Sequence, residues 1–368
     1  MSGVDWSPLL QLLLLGLALG CVPLWIWRAR SRGQRPQQKL RALLLLTLFL
    51  SFDLVVFGAF TRLSDSGLGC PDWPGCYGSA SPLSARAEIA AEQALRPQGP
   101  VTHGKAWVEM VHRYWASAVG FLVLVTAGLA WRWRAQLGHA ALGLSLATLV
   151  WVLLQGAFGA LTVTMKLFPA IVTLHLVGGL GLLVWLAVQA ERLAPRTLIA
   201  GSDSRGLLML CGALLVLQIL LGGWVSTNYA VLVCRDFPSC QGQWWPAMDF
   251  ANGFTLWREL GQTRAGAWLG LPALTAIHVA HRLGALVLSV ALLWLVRQLW
   301  LPAPVWALGL LALLALQVLS GVSNVVLGWP LVAALLHSAG AAALVLVLTL
   351  LACRLREQPQ PVTREVMA

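Results

Sequence analysis

The chain is short of charge. Of its 368 residues only 11% are Asp, Glu, Lys or Arg, and the acids number 14 against 25 Lys and Arg. A soluble domain of this length needs far more charge to clothe its surface, so that class is excluded. No polar segment carries a basic run with interleaved aromatics, which removes nucleic acid as a partner despite the formal net charge of +11. The opening MSGVDWSP holds an acid and no base, so the apolar segment behind it reads as an anchor with its N-terminus outside, not a cleaved signal peptide. The last residues, EQPQPVTREVMA, have little to bury and read as a short disordered tail.

What is plentiful is apolar: 58% of residues are hydrophobic and the mean hydropathy is +0.76. A bilayer core takes roughly 20 apolar residues as a helix. That rule predicts nine spans, near 8–27, 42–61, 106–130, 140–163, 168–190, 206–227, 271–296, 303–326 and 330–353. The basic loops are 28–41, 131–139, 191–205 and the turn at Arg297, with Arg354 and Arg356 after the last span. They alternate with loops of balanced or no charge, the pattern of bases kept on the inner side. The expected topology is therefore N-terminus outside and C-terminus inside, with the long loops 62–105 and 228–270 facing outward.

The sequence repeats itself. Gly58-Ala-Phe-Thr-Arg-Leu-Ser-Asp-Ser-Gly-Leu-Gly-Cys70-Pro-Asp-Trp-Pro-Gly-Cys76-Tyr-Gly78 aligns without a gap to the run from Gly222 through Cys234 and Cys240 to Gly242. His112-Arg113 returns as His281-Arg282. Gln155-x3-Gly159 before His175 returns as Gln317-x3-Gly321 before His337. Chance likeness of Leu-rich helices would not keep Cys, His and Asp in register. The expected architecture is an all-α polytopic membrane protein of two parallel four-helix repeats plus one extra N-terminal helix. Its divisions are 1–41 (anchor and basic loop), 42–190, 206–353 and 354–368 (tail).

His112, His175, His281 and His337 each fall about seven to ten residues into a span entered from outside, roughly 10–15 Å deep at 1.5 Å per residue. One such histidine is as easily a hydrogen-bonded packing residue. Four at one depth, two per half, point to function, because an ionisable group in lipid is costly. Neutral imidazole is a haem-iron ligand, and facing helices can supply one from each side. Zinc or copper would call for a further intramembrane ligand, and neither half offers a thiol there. The many glycines near these histidines suit close helix packing and a flat macrocycle equally. Arg113 and Arg282 have forks that match propionates, with pairing to the loops as the alternative. His103 and His139 read as surface residues.

One position breaks the repeat. Glu109 stands three residues before His112 on the same helix face, whereas His278 takes that place before His281. A carboxyl at that depth can move protons; a plain ion pair with Arg113 is the dull alternative. His278 also competes with His281 as a ligand. Cys70/Cys76 and Cys234/Cys240, in outward loops, are candidates for small disulfide rings, and a labile ring leaves a redox role open for the first pair. Cys21, Cys211 and Cys353 read as inert packing residues.

Together, TRLSDSGLGCPDWPGCYG, Glu109-x-x-His112-Arg113, Thr173-Leu-His175, His281-Arg282-Leu-Gly-Ala and Leu336-His337-Ser-Ala-Gly resemble the haem A synthase family over about residues 42–353. The family's usual eight helices make the first span a departure. The resemblance implies a bacterial cytoplasmic-membrane enzyme that oxidises the C8 methyl of haem O to a formyl group by two successive hydroxylations. It implies a resident haem B cofactor (iron) on His281 and His337. Haem O would lie near His112 and His175, with Glu109 as the functionally important acid. Dealings with a haem O-forming prenyltransferase and an electron donor follow, and a homo-oligomer is compatible. The four histidines alone would equally suit a non-enzymatic diheme electron-transfer or haem-transfer protein. A prenyltransferase would want aspartate-rich magnesium sites on inner loops, and a transporter is suggested only by the parallel repeat.

Overall fold

Arginine closes the last turn of every second long helix, and proline opens the first turn of several. The structure, a computed structural model, describes residues 6–200 and 204–357. Among the described residues nine helices are long and apolar enough to cross a bilayer, so the chain is an all-α, multi-pass membrane protein. They are α1 (Ser7–Arg30), α2 (Pro36–Leu63), α3 (His103–Arg132), α4 (His139–Thr164), α5 (Pro169–Arg192), α6 (Ser204–Thr227), α7 (Leu271–Leu299), α8 (Pro304–Val326) and α9 (Leu331–Arg354). Proline in the first turn of α1, α2, α5, α7 and α8 costs no hydrogen bond, since those N–H groups have no partner within the helix. Arg30, Arg132, Arg192, Arg297 and Arg354 in the last turns of the odd-numbered helices complement the helix dipole.

All nine expected spans are present, with ends that run past the apolar windows. Helical hydrogen bonding continues through polar turns, so α2 begins at Pro36 rather than 42 and α3 at His103 rather than 106. The tail expected to be disordered lies, from 358 on, outside the described residues, as does the start of MSGVDWSP.

Helices α2–α5 and α6–α9 pack against each other through α2, α5, α6 and α9. Polar ties reinforce this contact at both ends. At one end Arg354 donates from Nε and Nη2 to the two carboxylate oxygens of Glu191, at 2.9 and 2.6 Å. Beside them β1 (Leu198–Ala200) pairs in parallel with β2 (Leu355–Glu357), a small sheet the hydropathy pattern does not signal. At the other end Arg62 donates to the Ser226 carbonyl at 2.6 Å and to the Tyr229 hydroxyl at 2.9 Å. Tyr229 in turn donates to Asp65, which Lys105 also reaches.

Helix α1 lies outside this pair of bundles but not apart from it. It packs along α3, where a Cβ on Gly16 or Gly20 would run into Ser117 or Phe121. Its Leu12 joins a buried cluster with Cys70, Cys76, Ile89 and Met110.

Candidate functional site

The four intramembrane histidines sit on α3, α5, α7 and α9. His112 and His281 are the tenth and eleventh residues of their helices, and His175 and His337 the seventh. Each ring lies against a glycine of a neighbouring helix. A Cβ on Gly58 would lie 3.0 Å from His112, on Gly159 3.4 Å from His175, on Gly222 3.0 Å from His281, and on Gly321 3.3 Å from His337. Glycine is what lets the imidazoles sit this close to a facing backbone. Other glycines near the histidines do a different job: Gly178 and Gly340 let the Gln155 and Gln317 side chains cross their helices.

In the C-terminal half the His281 and His337 rings are 6.4 Å apart, centre to centre, at an interplanar angle of 74°. Two imidazoles that each bind one metal through a nitrogen at about 2 Å have centres roughly 6 Å apart, close to the spacing of this pair. In the N-terminal half Phe57 stacks along His112, with ring centres 6.3 Å apart. Buried polar atoms without partners gather here: His175 Nδ1, Gln155 Oε1, Gln218 Oε1 and Arg282 Nε. Buried donors and acceptors are otherwise almost always satisfied, so these are positions at which a bound group would find partners. Among the described residues no three or more His, Cys, Asp and Glu side chains are placed to share an ion.

Glu109 is 4% exposed, and both its oxygens are engaged. One pairs with Arg113, and the other accepts the Cys70 amide at 2.8 Å. The ion pair weighed as the dull alternative is thus present. His278 is equally buried, and its Nδ1 donates to the Ala230 carbonyl at 2.8 Å. It is turned to a loop, whereas its neighbour His281 faces His337.

Arg113 and Arg282, expected at propionates, are committed mainly to loop carbonyls. Arg113 donates to the carbonyls of Asp72, Pro74 and Gly75 at 3.0, 3.2 and 2.6 Å. Arg282 donates to those of Cys234, Asp236, Pro238 and Ser239 at 2.7–3.4 Å. The carbonyls of a tight loop form a ready-made bowl of acceptors directly above each arginine. Of these two side chains, Arg282 keeps its Nε buried without a partner.

The loops themselves match in detail. Cys70–Cys76 and Cys234–Cys240 are disulfide-bonded. Cys76 exchanges backbone hydrogen bonds with Ser79, as Cys240 does with Gln243. Asp72 accepts from the amides of Tyr77 and Gly78 at 2.6 and 2.7 Å, and Asp236 from those of Gln241 and Gly242 at 2.8 and 2.9 Å. The Ser239 hydroxyl and the Gly242 amide hold the Asp236 carboxyl down to about 2. Cys21, Cys211 and Cys353 are free thiols. His139 is exposed and His103 partly so.

Two polar residues of the C-terminal half have no assigned place in the sequence reading. Gln218 reaches His281, and Ser320 reaches His337. Their signal is a polar side chain inside an apolar span, four residues (Gln218) or one residue (Ser320) before a ring-facing glycine.

The chain is 40% identical over 312 residues to a haem A synthase of Shewanella oneidensis, covering 83% of this chain and 93% of that protein. It is 30% identical over 336 residues to one of Caulobacter vibrioides, with 83% and 92% covered. For one of Halalkalibacterium halodurans the figures are 27% over 290 residues, with 76% and 85% covered. The model of the cytochrome oxidase assembly protein family, COX15-CtaA, matches residues 41–349, all of the two bundles except their outermost turns. The chain belongs to the COX15-CtaA family of cytochrome oxidase assembly proteins.

Proposed function

We propose that the protein is a haem A synthase, an oxidoreductase that converts the C8 methyl of haem O to a formyl group by two successive hydroxylations and loss of water. The observation that carries this reading is the inequality of two otherwise matching sites: each has two imidazoles pressed to glycines, and only the N-terminal one has an acid, Glu109, a turn from its first imidazole. Haem O is the substrate of the N-terminal half, held by His112 and His175. Haem B is the resident cofactor of the C-terminal half, held by His281 and His337, where it supplies a one-electron centre. Arg282, through its unpartnered Nε, keeps one donor for a propionate.

The chain's own residues do the rest. Hydroxylation of a methyl group moves protons together with electrons, and Glu109 is the acid placed to exchange them once its contact with Arg113 opens. Arg113 and Arg282 hold the disulfide loops down over the bundle ends, which keeps water from the buried imidazoles. The protein lies in a bacterial cytoplasmic membrane with its N-terminus outside and its C-terminus inside. It receives substrate from a haem O-forming prenyltransferase and works with an electron donor, as a monomer or a homo-oligomer.

The test is chromatography of haems extracted from the purified protein and from cells supplied with haem O. Haem B with haem O or haem A is the expected result; haem B alone, with no haem A made, overturns the reading. A second reading, a diheme electron-transfer or haem-transfer protein, draws on one observation: both oxygens of Glu109 already have structural partners. That same result would favour it.

A further inference from the structure

Ser320 and Gln218 touch the imidazoles of the C-terminal half from behind. The Ser320 hydroxyl donates to the Leu316 carbonyl at 2.5 Å, which uses its only hydrogen. Its oxygen, 3.0 Å from His337 Nδ1, therefore accepts from an Nδ1–H. That bond selects the tautomer in which Nε2 carries a bare lone pair, the form that binds a metal. Gln218 lays its amide on the other ring. Its Nε2 is 2.9 Å from His281 Nδ1 and 3.4 Å from His281 Nε2 and donates to the His281 carbonyl at 3.1 Å, while Oε1 is buried without a partner. With the amide turned by half, Oε1 would accept from an Nδ1–H and leave Nε2 with a bare lone pair, in exchange for the bond to the His281 carbonyl.

The N-terminal half has neither device. Phe158 directly precedes Gly159 where Ser320 precedes Gly321, and Leu54 stands four residues before Gly58 where Gln218 stands four before Gly222. Consistent with this, His175 Nδ1 is buried with no partner. The difference lies behind the rings, where it does not alter the number or type of ligands. Hydrogen bonds to the far nitrogen fix a ligand imidazole in place and make it a stronger donor, and their loss typically weakens metal binding about 10–100-fold.

We propose that Ser320 and Gln218 are positioning residues that make His281 and His337 permanent iron ligands, and that Phe158 and Leu54 leave His112 and His175 as ligands that release their haem. This rests on the assignment of haem B to the C-terminal half. A half that must surrender its haem after each turnover gains from weak ligation; a half that keeps one does not.

The experiment uses the full-length protein in detergent, with excess apomyoglobin as haem acceptor and absorbance as the readout. Ser320→Ala should lose b-type haem about tenfold faster than the unaltered protein and show a higher midpoint potential, because the imidazole donates less charge. Ser320→Thr, which keeps the hydroxyl, should restore both values. Phe158→Ser should slow haem release from the N-terminal half by a similar factor. If Ser320→Ala does not fold, Gln218→Leu, which installs the other half's residue, provides the same measurement. Release rates and potentials identical in Ser320→Ala, Ser320→Thr and Gln218→Leu to those of the unaltered protein overturn the inference. Unchanged b-type absorbance in His281→Ala and His337→Ala would instead overturn the haem B assignment beneath it.

Discussion

In the N-terminal half the carboxylate of Glu109 accepts an amide of the disulfide loop, and in the C-terminal half His278, at the same place, donates to the carbonyl of Ala230. Both residues tether an outer segment to the helix that bears an imidazole. The tether is common, but its polarity is reversed. Arg113 and Arg282 likewise grip three matching loop carbonyls, with Cys234 a fourth for Arg282, and Asp72 and Asp236 cap the same turn. Behind the rings the halves diverge outright, with Phe158 and Leu54 against Ser320 and Gln218. The lesson is that the two halves share the parts that close the bundle and differ in what stands behind the rings.

Four measurements test this contrast. Replacing His281 or His337 with Ala should abolish the resident b-type spectrum, whereas His112→Ala or His175→Ala should leave it and abolish haem A formation. His278→Ala should leave it as well, since that ring holds a loop; loss of the spectrum there alone would reverse the ligand assignment. Next in size, Glu109→Gln should lower haem A output about a hundredfold with haem B retained, the usual scale for a lost general acid–base group. Full activity would reduce Glu109 to the tether that His278 already is.

Gly222→Ala should weaken haem B retention about tenfold and Gly58→Ala should weaken only turnover, because each adds a Cβ 3.0 Å from one imidazole. Neither should lower the melting temperature by much, as Ala favours a helix by up to about 1 kcal/mol over Gly. The smallest effect concerns pH. The Asp236 carboxyl is held to about 2 by Ser239 and Gly242, below its ordinary range. Its bonds therefore stabilise the loop at any pH above that ordinary range and fail only as the pH falls through about 2. Fluorescence of the exposed Trp244 and Trp245 in that loop should stay level from pH 7 to 4 and change only in stronger acid.

Much of this was legible in the sequence. Hydropathy and arginine placement located all nine long helices, because lipid forces every backbone group into a helix of predictable length. The repeat located the imidazoles and the cysteine pairs. The glycines could be read only as small residues: sequence spacing does not say which of Gly58, Gly159, Gly178 or Gly321 faces a ring and which faces a glutamine. The partners of Arg113 were likewise hidden, because loop carbonyls leave no mark in a sequence whereas a fork invites a carboxylate. Arg62 and Asp65 lay in a quoted motif, yet their role in joining the two halves depends on Ser226 and Tyr229, more than 160 residues away.

Helix α1 falls outside the stretch matched by the family, yet it is seated on α3 by Gly16 and Gly20 and reaches Cys70 and Cys76 through Leu12. No tenth helix covers α7 in the same way among the described residues: Leu286, Val287, Val290 and Trp294 are exposed along it. The twofold plan is thus broken at its rim as well as at its centres. On one flank the bundle meets lipid directly, and on the other a strip of its own chain stands in for lipid, so a greasy molecule approaching sideways meets a wall at α3 and open bilayer at α7.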